Sequence, residues 1–343
     1  MAARTSVALV NYNGLADTLR CLRSLEAAGG PDTVIVDNAS AEDPSATLRR
    51  DFPWCEVIRN PVNGGWAGGN NVGIRYALAR GADSVILLNN DTVVAPDFVA
   101  KLAAADSAYG IVGPVIRFMD PPHEVQTDGC IFNGADRPGF FQRRAVELVV
   151  RPMPTVTDVD IVNGCCMMVR ADVFRRIGLI DERFFLIHEE SDFCLRARRV
   201  GIRCGVLGAA LVWHKGSSSF RRNGARWQRY YDARNLALLL SKHAAAHRRG
   251  RGVFRSYWEY LKYAYYRYAL EREAGHGDAA DAVVEGVHDA LTRRFGPHRV
   301  GSRPAFHLLR GVFESWRTLR TRSKRSSDPA RLPRPLAHAT AVR

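Results

Sequence analysis

Asp83-Ser84-Val85-Ile86-Leu87-Leu88-Asn89-Asn90-Asp91 decides the fold of this chain. Four apolar residues in a row, too short a run for a helix face, pass straight into three polar ones. That is the profile of a strand covered on both faces and ending at a sheet edge. Ligands of open α/β sheets collect at the carboxyl ends of the strands. Asp91 therefore stands either to hold a metal ion or a ribose, or to cap the turn before Pro96, and the segment alone leaves both open.

On the amino-terminal side of this strand, strand and helix signals alternate. Ser6 to Val10, Thr33 to Asp37 and Glu56 to Arg59 read as strands; Leu15 to Ala27 and Pro44 to Arg50 read as helices, and the loop Asn60 to Asn71 leads into a third helix ending at Arg80. This spacing predicts an α/β fold with a doubly wound, mainly parallel, Rossmann-like sheet and right-handed crossovers. Residues 113–154 are rich in Gly, Pro and Asp and read as excursion loops and a hairpin beside the sheet. Strands return at 156–162, 163–169, 203–207 and 210–213, with helices at 171–176 and 191–200. Residues 225–243 and 253–273 have helical periodicity. The expected organisation is a sheet domain over 1–220, a basic, aromatic-rich helical extension over 221–320, and a disordered tail over 321–343.

The 343 residues, 46% of them hydrophobic, suffice for one large domain with an appendage or for two domains. Seven cysteines form no CxxC pair, which argues against disulfide and zinc frameworks. The first residues enter a strand with no signal-peptide core, and no run is long enough to span a bilayer, so a cytoplasmic location is expected. The net charge of +14 is unevenly spread: from Lys215 onward there are 27 Lys and Arg against 10 Asp and Glu, whereas residues 1–214 carry 22 and 25. Such an excess faces a polyanion or is a solvated arginine-rich surface. In the second helix Phe254, Tyr257, Trp258, Leu261, Tyr265 and Tyr268 form an aromatic stripe flanked by Arg255 and Lys262. It is either a core contact or an interfacial membrane face.

Four groups of residues carry possible chemistry. Asn63-Gly64-Gly65-Trp66-Ala67-Gly68-Gly69-Asn70-Asn71 sets four glycines before a helix, where backbone N–H groups can approach a diphosphate. It lacks the position and spacing of a dinucleotide fingerprint, since the first strand ends in Val10-Asn11-Tyr12-Asn13-Gly14. Asp37, ending the second strand ahead of Asn38, can accept from a base N–H or a ribose hydroxyl, or can simply form a turn. His188-Glu189-Glu190-Ser191-Asp192 opens a helix, where carboxylates favour the dipole and could also include a general base. His214 in Trp213-His214-Lys215 could complete a coordination sphere begun at Asp91.

Taken in order, Val10 to Gly14, Val36-Asp37-Asn38-Ala39-Ser40, Asn63 to Asn71, Leu88 to Asp91, Asn163-Gly164-Cys165, Glu189 to Arg196 and Trp213-His214 resemble the inverting glycosyltransferases of family 2, of GT-A fold, and most nearly their rhamnosyltransferase-like branch. The resemblance covers about residues 5 to 243. It implies a donor site formed by Val10, Tyr12, Asp37, Asn38, Asn63, Gly69, Asn70, Asn89, Asn90 and Asp91, with Asp37 on the pyrimidine base and Asn89-Asn90-Asp91 in the place of D-x-D. It implies Mg2+ or Mn2+ on Asp91 and His214, Gly164, Cys165 and Asp192 on the acceptor side, and Glu190 or Glu189 as the base. Two departures stand out: Asn89 replaces the first Asp, and a Glu-Glu pair replaces Glu-Asp.

The implied reaction transfers rhamnose or another hexose from a UDP- or dTDP-sugar to a hydroxyl of a glycan, lipid-linked saccharide or small natural product, by metal-assisted single displacement. An anionic membrane surface, met through the basic C-terminal helices at the inner face of the cell membrane, is a further expected partner. A nucleic acid is not expected, and the oligomeric state is left open. A basic nucleic-acid-binding protein and a non-catalytic sugar-nucleotide-binding regulator are the competing readings. The first leaves the motifs of residues 1–214 unused.

Overall fold

A computed structural model describes residues 3–105, 108–133, 140–143, 155–216, 225–243 and 251–324. Its first part runs β1 (Thr5–Asn11), α1 (Leu15–Ala27), β2 (Thr33–Asp37), α2 (Ser45–Asp51), β3 (Cys55–Arg59), α3 (Gly65–Ala79) and β4 (Ser84–Asn89). The short β5 (Thr92–Val94), α4 (Phe98–Ala103), β6 (Tyr109–Phe118), β7 (Val125–Thr127), β8 (Cys130–Phe132), β9 (Phe141–Arg143) and β10 (Val156–Val159) follow. Then come β11 (Cys166–Arg170), α5 (Ala171–Ile177), α6 (Glu189–Arg199) and β12 (Arg203–His214).

The main sheet has the order β10-β12-β6-β11-β4-β1-β2-β3, with β5 on β12 and β7 on β6. β3, β2, β1 and β4 are mutually parallel, β12 is parallel to β6, and β11 runs antiparallel to β4 and β6. From β1 the chain winds one way to β2 and β3, then returns through α3 to β4 on the other side. That reversal opens a crevice at the carboxyl ends of β1 and β4. Val10 of β1 is in register with Asn89 of β4, which puts Asn89-Asn90-Asp91 at its mouth.

Alternation along the strands explains why both faces are covered. Val7 and Leu9 of β1 join Cys21, Leu22 and Leu25 of α1 in one core cluster. The opposite face, Ala8 and Val10, receives α3 so closely that a Cβ on Gly73 would lie 2.9 Å from Ala8 Cβ and one on Gly69 2.8 Å from Val10 Cγ1. β2 is buried at all five positions, as a central parallel strand must be. Replacing a buried leucine such as Leu22 by alanine in such a core costs about 2–5 kcal/mol.

Several expectations change. The glycine segment is not a loop reaching Asn71: the helix begins at Gly65, because the glycines permit tight helix-on-sheet packing. Residues 113–118, expected among excursion loops, belong to the long strand β6 (Tyr109–Phe118) inside the main sheet. Its glycines mark close approaches; a Cβ on Gly113 would sit 2.5 Å from Val162 Cγ1. The two short strands at 203–207 and 210–213 are one strand, β12, with register shifts around Leu207 and Ala210. The Glu pair lies inside α6 rather than ahead of it.

The second part consists of α7 (Ala225–His243), α8 (Arg251–Glu273), α9 (Gly277–Leu291) and α10 (Phe306–Lys324). The chain divides into two compact units, residues 1–132 with 143–218 and residues 133–142 with 219–343. Tyr230 to Leu240 of α7 are buried without interruption, marking it as the central helix of its unit. Two members of the aromatic stripe of α8 serve this core, Tyr268 being buried and Tyr265 packing on Phe313 and Trp316, and Tyr260 beside them is buried too. Tyr257 and Trp258 remain exposed. Phe254 and the tail beyond Lys324 lie outside the residues whose side chains are described. Among the described residues no helix is long and apolar enough to cross a membrane.

Candidate functional site

The crevice is lined from four strand ends, and hydrogen bonds between polar side chains hold each one. Asp37, at the end of β2, is fully buried, and four donors reach its carboxylate. Asn11 Nδ2 and Ser40 Oγ donate to Oδ1 at 2.8 and 2.5 Å, while Arg59 Nη1 and the Ser40 N–H donate to Oδ2 at 2.8 and 3.2 Å. Arg59 faces Asp37 across the β2–β3 register and also donates to the Ser40 carbonyl at 2.9 Å. Expected on the base, the Asp37 carboxylate instead turns inward onto these groups, and Arg59 is the charged side chain it leaves part-exposed at this edge.

Asn38 pins the start of α3. Its Nδ2 donates to Asn63 Oδ1 at 2.9 Å and to the Gly65 carbonyl at 2.8 Å, and its Oδ1 accepts from Asn60 Nδ2 and the Gly64 N–H. Gly65 has φ +69°, and a Cβ there would fall 2.2 Å from the Phe185 carbonyl oxygen, so only glycine fits. Asn70 is buried with its Nδ2 donating to the Trp66 carbonyl at 2.9 Å, and Gly69 is pressed on Val10. Gly69 thus lets the helix close on the sheet, and the Asn70 amide is tied within the helix's first turns. Tyr12 stands exposed beyond β1.

The triplet that closes β4, Asn89-Asn90-Asp91, points three ways. Asn89 Oδ1 accepts the Trp66 indole N–H at 2.9 Å. Asn90 Nδ2 donates to Thr18 Oγ1 at 2.8 Å, joining the triplet to α1. Asp91 Oδ1 lies 3.0 Å from His214 Nε2. This last meeting is made by the sheet: β5 pairs antiparallel with β12 so that His214 stands opposite Thr92, the residue after Asp91. His214 Nδ1 lies 2.9 Å from Gln126 Oε1, an acceptor for an Nδ1 proton, and Nε2 is directed at Asp91. A divalent ion suits this pair, since such ions take one or two protein groups and complete their shell with substrate phosphates and water. Among the described residues no cluster of three or more His, Cys, Asp or Glu could hold a metal without that help.

The Glu pair lies in the first turn of α6, behind a segment in which Phe185, Ile187 and His188 all have positive φ. Strained non-glycine backbone of this kind persists where the surroundings over-determine it. Glu189 is buried and its Oε2 has no hydrogen-bond partner; burial, with the neighbouring Glu190 carboxylate second, holds its proton well above the usual carboxylate range. Glu190 is less buried and accepts from Ser191 Oγ at 3.1 Å. A Cβ on Gly164 would be 3.3 Å from both Glu190 Cβ and Trp66 Cζ2, so Gly164 lets the indole and Glu190 close on one spot.

Two residues expected on the acceptor side, Cys165 and Asp192, are buried. Cys165 is buried and contributes its carbonyl to the Asn89 N–H at 2.9 Å; burial pushes its thiol well up, leaving it a neutral core group. Asp192 is fully buried in an ion pair with Arg196 Nε at 2.8 Å. The residues overlooked in the sequence are Trp66, Thr18, Ser40, Arg59 and Gln126. Only Arg59 carried a signal, a cation ending the strand that lies beside Asp37.

A family model described as Glycosyl transferase family 2 matches residues 6–178. The low-salt glycan biosynthesis hexosyltransferase Agl10 of Haloferax volcanii is 31% identical over 245 residues, 68% of this chain and 74% of that protein. The dTDP-rhamnosyl transferase RfbF of Shigella flexneri is 28% identical over 246 residues, 68% of this chain and 79% of its own length. Among solved structures, S. aureus TarS 1-349 in complex with UDP-GlcNAc has a TM-score of 0.53 at 16% identity, over 96% of this chain and 94% of that one, which is a likeness of fold.

Proposed function

The chain belongs to glycosyl transferase family 2, and from that premise we propose that it is an inverting enzyme moving a hexose, rhamnose included, from a UDP- or dTDP-sugar to a hydroxyl of a glycan, a lipid-linked saccharide or a natural product. One observation carries the reading. The sheet reversal gathers the Asp91–His214 pair at 3.0 Å, Asn89 and, across the Trp66 ring, Glu190.

Each residue then has a task. Asp91 and His214 Nε2 are the protein groups that would hold Mg2+ or Mn2+ against the diphosphate, and such an ion offsets the charge that develops on the leaving group. Glu190 accepts the proton of the acceptor hydroxyl while that oxygen bonds to the anomeric carbon. The bond from that carbon to the diphosphate breaks on the opposite face, so one displacement inverts the configuration. Double displacement needs a second carboxylate as nucleophile. Asp37 is committed to Arg59 and Asp192 to Arg196, so neither offers one.

A thermal-shift screen with UDP, dTDP and GDP and their sugars tests the donor class. Ligand at 100 times its Kd stabilises by about 2.7 kcal/mol, so UDP or dTDP should raise the melting temperature by several degrees. No shift with any nucleotide, together with tight binding to random duplex that weakens steeply with salt, would favour the nucleic-acid reading.

An anionic membrane surface is the second expected partner. Leu308 and Leu319 of α10 are 71% and 63% exposed and Trp258 of α8 is 53% exposed, in the part of the chain that holds the basic excess. A cationic helix with an apolar outer face lies on anionic lipid. Because α8 and α10 are packed together, their deletion would unfold the unit, and point substitutions are the cleaner test. Leu308→Glu with Leu319→Glu should abolish sedimentation of the full chain with phosphatidylglycerol vesicles while sparing donor binding; unchanged sedimentation would contradict the membrane contact.

A further inference from the structure

Trp66 is the side chain common to both halves of the crevice. Its indole nitrogen donates to Asn89 Oδ1 at 2.9 Å, and its ring edge lies where Gly164 makes room beside Glu190. An indole N–H can only donate. The amide atom that meets it must therefore be the oxygen, and Asn89 Nδ2, with its two N–H groups, is turned the other way. Asn89 is part-exposed and its Nδ2 makes no hydrogen bond to any described residue. The backbone of Asn89 is held separately, its N–H donating to the Cys165 carbonyl at 2.9 Å.

We propose that Trp66 is a positioning residue that locks the Asn89 amide so that Nδ2 offers hydrogen bonds to an oxygen of the nucleotide donor, at the place where D-x-D enzymes present a carboxylate. This rests on the sugar-nucleotide reading above and specifies how the site meets its ligand. A carboxylate at position 89 would accept the same indole N–H but turn a negative oxygen towards a dianionic diphosphate. The amide turns a donor there instead, which favours an anion without requiring a metal ion at that residue. The acceptor is a diphosphate oxygen or a ribose hydroxyl, which share lone-pair chemistry and differ in charge.

Calorimetric titration of UDP, dTDP and the corresponding nucleosides into the full chain, in EDTA, tests this directly. Trp66→Phe removes the indole N–H and keeps an aromatic ring; it should weaken nucleoside diphosphate binding by about 2- to 10-fold, the net worth of one neutral hydrogen bond. Asn89→Asp should weaken it by at least about tenfold. Loss confined to the diphosphates assigns the contact to phosphate, and equal loss for the nucleosides assigns it to ribose; both support the proposal. The double variant Trp66→Phe with Asn89→Ala should bind no worse than Asn89→Ala alone, because Trp66 acts through Asn89. Additive losses, or wild-type affinity in Trp66→Phe, would overturn the proposal while leaving the donor reading intact. If the wild-type chain bound neither UDP nor dTDP, both would fall. Melting temperatures of each variant within a few degrees of wild type separate this effect from unfolding.

Discussion

Glu190→Gln is expected to lower kcat by about two to four orders of magnitude while donor affinity stays nearly unchanged, the scale and pattern of a lost general base. The neighbouring substitution Glu189→Gln is expected to cost no more than about tenfold. The two carboxylates are adjacent in sequence but not in environment. Glu189 is sealed in the core with one oxygen lacking a hydrogen-bond partner, and burial shifts it towards the neutral acid, a poorer proton acceptor than a carboxylate. Glu190 is the more accessible of the two and borders Trp66 and Gly164. If Glu189→Gln were the crippling change, the roles would be exchanged.

Stability gives a second reading of the same pair. Glu189 holds its proton more tightly in the folded than in the unfolded chain. The folded state therefore carries the extra proton, and the stabilising difference is complete below the unfolded glutamate value near 4.3 and declines as pH rises from there towards the raised folded value. Glu189→Gln, neutral at every pH, should remove this decline. Melting temperatures followed from pH 5 upward should then fall less steeply for the variant than for the wild type; parallel curves would place an ionised Glu189 in the fold.

Asp91→Ala is expected to reduce kcat/KM by about 100-fold or more, since Lewis-acid assistance is worth several kcal/mol at the transition state. Donor affinity measured with Mn2+ should fall to the value found with EDTA. His214 keeps its Gln126 contact in this variant, so the sheet edge is retained. Persistence of a difference between Mn2+ and EDTA in Asp91→Ala would remove Asp91 from the metal site.

The framework was legible because the strands of the parallel half are short apolar runs closed by polar residues. α1 and β2 match their expected limits residue for residue. β6 was not legible: Gly110, Gly113 and Pro114 signal a loop, yet here two of them are the thin points that let a strand pass Ile202, Val173 and Val162. The membership of the site was partly legible. Strand-end residues such as Asp91 announce themselves by position, and Asp91 lies 3.0 Å from His214. What sequence could not convey was direction. Asp37, Asn70 and Asp192 are polar residues at suggestive places whose side chains turn inward to Arg59, the Trp66 carbonyl and Arg196. Trp66, conversely, reads as one more aromatic residue among glycines until its N–H is found on Asn89.

The central claim is single displacement from a nucleotide sugar with Glu190 as the only base. The most direct measurement is the anomeric configuration of the product, followed by proton NMR with whichever UDP- or dTDP-hexose binds and a hydroxyl-bearing acceptor glycan. The account predicts one configuration throughout, opposite to that of the donor's anomeric carbon, and its disappearance in Glu190→Gln. A product that retains the donor's configuration would contradict it.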